Sequence, residues 1–93
     1  MDFEWDERKR LTNLDKHELD FVEVEEMFEG PMLVALDTRS DYGEDRWLGL
    51  GMSQGRILVL SFTERDDGQT IRIISLRKAL KHEQKAYEKI IGD

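Results

Sequence analysis

The chain has 93 residues, 38% of them charged and 39% hydrophobic, with 14 Lys and Arg against 21 Asp and Glu for a formal net charge of −7. A core takes most of this length, so residues 1–93 are expected to form one domain rather than two. The absence of Cys excludes a disulfide framework, a thiolate zinc site and a cysteine nucleophile, and −7 argues against nucleic-acid binding by the whole surface.

In chain order, Met1 to Trp5 is too acidic and polar for a signal peptide, and Phe3 to Trp5 can form a short strand. Asp6 is placed to cap a helix over residues 7–17, with Leu11 and Leu14 on one face. Asp20 opens a second helix, with Glu23 spaced as a capping-box partner and Phe21, Val24 and Phe28 as its apolar stripe. Gly30-Pro31 ends it.

After residue 31 the period changes. Met32 to Leu36, Trp47 to Met52, Ile57 to Thr63 and Thr70 to Leu76 read as strands. Gly49 and Gly51 within the second of them suggest a bulge or a close backbone approach. Ile57 to Thr63 is apolar throughout, as a central strand buried on both faces would be. Asp66-Asp67-Gly68 marks a hairpin. The connections here are too short for parallel crossovers, which predicts an antiparallel meander. A helix follows from about Ala79 to Ile91. The expected fold class is α+β: two N-terminal helices packed on a four-stranded antiparallel sheet, with a C-terminal helix. No run reaches the roughly 20 apolar residues of a membrane helix, so no membrane partner is expected.

The charge is uneven. Residues 1–29 carry 4 basic and 11 acidic side chains, residues 30–70 carry 4 and 7, and residues 71–93 carry 6 and 3, for nets of −7, −3 and +3. Opposite ends of opposite charge point to separate surfaces, or to two ordinary solvated helix faces.

Few residues offer chemistry. Lys16 and His17 end the first helix, where His can exchange protons near neutral pH and both cations complement the helix dipole. Glu64 and Arg65 follow the central strand, as a base beside a phosphate clamp or as solvated turn charges. Arg72 interrupts the apolar run Ile71, Ile73, Ile74, which is costly unless it reaches water or an anion. Strand alternation puts Arg72 and Arg77 on opposite faces unless the strand ends or bulges near Ser75. Ser75 otherwise reads as a helix cap, and Tyr87 as a core residue of the last helix. Asp41, Glu44 and Asp45 match no calcium loop, so no metal is expected.

The order of these pieces resembles a known family. Phe3-Glu4-Trp5-Asp6, then Lys9, Asn13 and Lys16-His17, are similar to the N-terminal signature of BrnT-type toxins. The likeness continues through Asp41-Tyr42-Gly43-Glu44-Asp45-Arg46 and through Val59 to Arg65. It is most specific over Arg72-Ile73-Ile74-Ser75-Leu76-Arg77-Lys78-Ala79, and ends with Glu83 and Tyr87. Leu76 stands where such toxins usually have Ala, and Ser40 where many have His.

The resemblance implies a RelE/ParE-like fold and a bacterial, cytoplasmic endoribonuclease toxin of a type II toxin–antitoxin module. It implies that mRNA is cleaved, and translation inhibited, by attack of a ribose 2′-OH on the adjacent phosphate. It further implies a ribbon-helix-helix antitoxin (BrnA-like), a heterotetramer, and operator DNA reached through the antitoxin. No cofactor is expected. The reaction needs a base, an acid and cations for the phosphorane charge. Arg65, Arg72 and Arg77 suit the phosphate, Glu64 or His17 the base, and Lys16 charge stabilisation. Trp5, Arg46, Ser75, Lys78 and Tyr87 are the expected substrate contacts, with Trp5 able to stack on a base. A same-fold toxin that binds a protein such as gyrase, and a non-enzymatic interaction module, are the competing readings.

Overall fold

The computed structural model describes residues 1–92. Strand β1 (Asp2–Trp5) leads into helix α1 (Glu7–His17). The Asp6 carboxylate accepts from the Arg8 N–H at 2.8 Å, which supplies a partner to the first turn of α1. Glu18, in the left-handed region at φ 58°, ends it. Asp20 then caps a 3₁₀ turn (Phe21–Glu23) that runs into the short helix α2 (Val24–Glu29). Glu23 does not close a capping box. Its carboxylate instead accepts from Ser53 and Arg56. Strands β2 (Leu33–Leu36), β3 (Trp47–Ser53), β4 (Arg56–Arg65) and β5 (Thr70–Lys78) follow, then helix α3 (Lys81–Ile91). Among the described residues no helix is long and apolar enough to cross a membrane.

The strands form one sheet in the order β1-β5-β4-β3-β2. The four-stranded antiparallel sheet under two N-terminal helices is therefore corrected. The sheet has five strands and is mixed, because β1 pairs in parallel with β5, Phe3 opposite Ile71 and Trp5 opposite Ile73. The short connections after residue 31 constrain only β2 to β5. The chain from residue 6 to residue 69 is far longer than a parallel crossover requires, so β1 is free to complete the open edge of β5.

Helix α1 also differs from expectation. Leu11 and Leu14 are 52% and 36% exposed, and Asn13 is its buried residue. The cover on the sheet comes instead from Leu19, Phe21, Val24 and Met27, all fully buried against Leu58, Leu60, Phe62, Ile71, Ile73 and Leu76. Each such side chain contributes roughly 1.5–3 kcal/mol on burial. Gly51 makes this packing close: a Cβ there would lie 3.0 Å from Met32 Cγ and 3.3 Å from Met27 Cβ. The β4–β5 turn places Asp66, Asp67 and Gly68 at φ 55°, 55° and 84°, conformations that Asp and Gly tolerate.

One irregularity decides what the opposite face carries. Ser61 pairs with Ser75, but Phe62 pairs with Ile73, so Ile74 is an extra residue on β5. This bulge corrects the alternation: Ile73 and Leu76 both reach the core though three positions apart. Arg72, Ile74, Ser75 and Arg77 consequently share the face away from the core.

Candidate active site

The edge of β5 beyond β1 is closed by one side chain. Asn13 Oδ1 accepts from the Leu76 N–H at 3.0 Å, and its Nδ2 donates to the Leu76 carbonyl at 2.9 Å and the Leu19 carbonyl at 3.1 Å. The amide acts as a one-residue strand. It holds α1 along the bulged part of β5.

Between α1 and the bulge lies an open groove of about 570 Å³, lined by Asp6, Arg8, Lys9, Thr12, Asn13, Lys16, His17, Ile74 and Ser75. Three full cations and an imidazole face one carboxylate here, on the most acidic third of the chain. The Asp6 carboxyl is held below its usual pKa by the Arg8 backbone N–H. Lys16, His17 and Ser75 are thus brought together from two elements. Arg8, Lys9 and Thr12 were not singled out from sequence as site residues. The signal was present in part, because Lys9, Thr12, Asn13 and Lys16 fall at i, i+3, i+4 and i+7 on one helical face.

The arginines occupy the adjoining sheet face. Glu4 accepts from Arg72 at 2.7 Å and lies 3.4 Å from Arg65 Nε. Arg77 makes a two-pronged pair with Glu83 at 2.8 and 2.9 Å. Glu83 also accepts from the Leu80 N–H at 2.7 Å, capping α3. These carboxylates fix the guanidiniums while leaving each arginine part-exposed, 50% for Arg65, 32% for Arg72 and 34% for Arg77. A fixed planar fork is suited to phosphate oxygens.

The remaining expected residues are elsewhere. Glu64 alternates with Arg65 and points to the core side of β4, opposite Ile71; it lines a small cavity with Arg65 at the sheet end, while the pleat separates it from Arg72 and Arg77. The Trp5 ring meets the edge of Phe21 at 6.2 Å, and its N–H donates to Glu7. Tyr87 is 3% exposed and donates to the Pro31 carbonyl at 3.0 Å. Arg46 lies over the Tyr42 ring at 4.2 Å. Lys78 lines a different cavity with Gln84, Tyr87 and Glu88. Among the described residues no three His, Cys, Asp or Glu side chains gather as a metal-binding group.

The Arg77–Glu83 pair has a pH signature. The Arg77 hydrogen bonds, and then the Leu80 N–H, hold the Glu83 carboxyl down at about 2, against burial that raises it. A depressed carboxylate stabilises the fold fully above its ordinary value of 4.5 and loses that contribution as pH falls toward about 2. Glu83→Gln is expected to lower stability at pH 7 by about 1–2 kcal/mol and to flatten the acid limb of stability between about pH 5 and 2. Urea melts across that range check it; an acid limb unchanged in the variant would remove the assignment.

The family model described as "Ribonuclease toxin, BrnT, of type II toxin-antitoxin system" matches residues 5–83. The chain belongs to the BrnT family. A search of curated proteins gave no match. The matched span runs from Trp5 to Glu83 and so contains α1, the whole sheet from β2 onward, the β5 bulge and both ends of the Arg77–Glu83 pair. Membership of a type II toxin–antitoxin family implies an antitoxin partner, and the family is one of ribonucleases.

Proposed function

We propose that this BrnT-family chain is a metal-independent endoribonuclease that cleaves mRNA and so inhibits translation. The observation that carries the reading is the cationic groove of Lys9, Lys16 and His17 beside Ser75, continuous in register with the face of Arg72 and Arg77, in a chain of a ribonuclease toxin family. The ribose 2′-OH attacks the adjacent phosphorus, and the bond to the 5′ oxygen breaks. A 2′,3′-cyclic phosphate and a 5′-hydroxyl result. His17 carries the proton transfer, since Glu64 lies across the pleat. Arg72 and Arg77 stabilise the phosphorane charge, and Lys9 and Lys16 hold flanking phosphates. Preorganised cations of this kind supply the electrostatic stabilisation a phosphoryl transition state demands.

A ribbon-helix-helix antitoxin neutralises the chain in this reading, in a heterotetramer that reaches operator DNA through the antitoxin. Purified protein in excess EDTA is expected to cleave RNA. Growth arrest on expression, with no RNA cleavage in EDTA or on ribosomes, would move the reading to a toxin that acts by binding a protein.

A further inference from the structure

The β2–β3 connection carries a further fixed arginine that the site above does not use. The Asp37 N–H donates to the Arg46 carbonyl at 2.7 Å, which extends the β2–β3 ladder by one step. Alternation from Val34, opposite Gly49 on the core side, puts Leu33, Ala35 and Asp37 on the face that carries Arg72 and Arg77.

The Asp37 side chain is 1% exposed and that of Arg39 is 64% exposed. Asp37 accepts from Arg39 Nε and Nη2, both at 2.8 Å, from the Arg39 backbone N–H at 3.1 Å, and from the Tyr42 hydroxyl at 3.1 Å. Arg46 in turn covers the Tyr42 ring. Three side chains, Asp37, Tyr42 and Arg46, therefore serve to fix one exposed guanidinium. Arginine loses about 2 kcal/mol of rotamer freedom when held this way, yet Arg39 buries little apolar surface in return. Its outer N–H groups are left to solvent.

Arg77 is near it. Glu83 raises the Arg77 pKa, and the Arg39 charge opposes that. Each guanidinium has a carboxylate on one edge, Asp37 for Arg39 and Glu83 for Arg77, and an anion between them would accept from the N–H groups that remain. The row of the sheet between them holds Ser61 opposite Ser75 on the same face; Ser61 is buried and Ser75 is the exposed hydroxyl.

We propose that Arg39 and Arg77, with Ser75, form a phosphodiester-binding subsite that positions single-stranded RNA across the sheet face. Arg39 is a substrate-positioning residue there, and Asp37 and Tyr42 hold its orientation. The subsite rests on the ribonuclease reading for its natural ligand, but its binding chemistry can be tested without cleavage.

The probe is a labelled 2′-O-methyl RNA oligonucleotide, which has no free 2′-OH to attack. Its binding to the full chain is followed by fluorescence anisotropy across a KCl series. The double variant Asp37→Asn, Arg39→Gln removes the cation without stranding a buried charge. It is expected to bind about tenfold more weakly, with the log–log salt slope reduced by about 0.7, one phosphate contact on a single strand. Arg39→Lys keeps a cation beside Asp37 and serves if the double variant does not fold. It is expected to bind at least about threefold more weakly, because the two-pronged fork is lost. Unchanged affinity in a folded variant, or no binding by the unmodified chain, would overturn the subsite. Binding that depends on Arg39 in a chain that cleaves no RNA would end the ribonuclease reading and leave the subsite standing. Wild-type cleavage with variant binding unchanged would do the reverse.

Discussion

His17→Gln is expected to lower the rate of RNA cleavage by about 10²–10⁴-fold, the usual contribution of a positioned general acid or base. Proton transfer at the scissile phosphate needs a titratable group on the same side as the cations. Glu64 is on the core side of β4 opposite Ile71, whereas His17 lines the groove with Lys16 and Ser75. Glutamine keeps a polar side chain of similar length but cannot exchange a proton. The variant should therefore melt within about 0.5 kcal/mol of the unmodified chain, as surface substitutions usually do. Single-turnover cleavage rates across pH check it. A wild-type rate and pH profile in His17→Gln would remove His17 from the chemistry.

The largest stability effect is expected at Asn13. Its amide is 6% exposed and makes three backbone hydrogen bonds, two of them to Leu76 sixty-three residues away. Leucine is close in size but offers no polar atom. Asn13→Leu leaves the Leu76 N–H and carbonyl without their partner at the edge of β5, and each such loss costs about 1–3 kcal/mol. Some water will reach the edge, so a net loss of roughly 2–4 kcal/mol is expected, or a fall in melting temperature of about 10–25 °C for a domain this size. Thr12→Ala, one residue away and exposed, should change little. Thermal melts of the two variants decide the matter; equal melting temperatures would mean that Asn13 does not hold α1 to the sheet. Activity should fall with the same substitution, since α1 carries Lys16 and His17.

Local signals were legible where the cause was local. The Asp6 cap, the hairpin at Asp66-Asp67-Gly68 and the apolar run of β4 are each set by neighbouring residues. The glycines of β3 announced a close approach, and the structure shows Met32 and Met27 making it. What was not legible depends on distant pairing. The short strand at Phe3 to Trp5 is readable from its residues, but its parallel pairing with β5, across most of the chain, is not. Nothing near Asn13 reveals that it ends a sheet edge. Leu11 and Leu14 have helical spacing yet face solvent, because the 3₁₀ turn and α2 already fill the core. The candidate site divides the same way. Arg72 is visible as a costly residue in an apolar strand, but the face it shares with Arg77 follows from the Ile74 bulge. Asp37 and Arg39 carried no signal, because their meaning lies in burial of the one and exposure of the other.

The uneven charge follows the same division. The net −7 of residues 1–29 includes Arg8, Lys9 and Lys16 on the one face of α1 that meets the sheet. Total charge therefore says little about phosphate binding here; the salt dependence is set by the few cations in contact.

In the proposed reaction a ribose 2′-OH is the nucleophile and the chain's own side chains supply the catalysis. The most direct measurement is an end-group analysis of RNA incubated with purified protein in excess EDTA, beside the same RNA carrying a single 2′-deoxy residue at the mapped cleavage site. Ends of 2′,3′-cyclic phosphate and 5′-hydroxyl are expected, with no cut at the deoxy position. Cutting at the deoxy position, 5′-phosphate ends, or cleavage that appears only with added divalent cation would rule this reaction out.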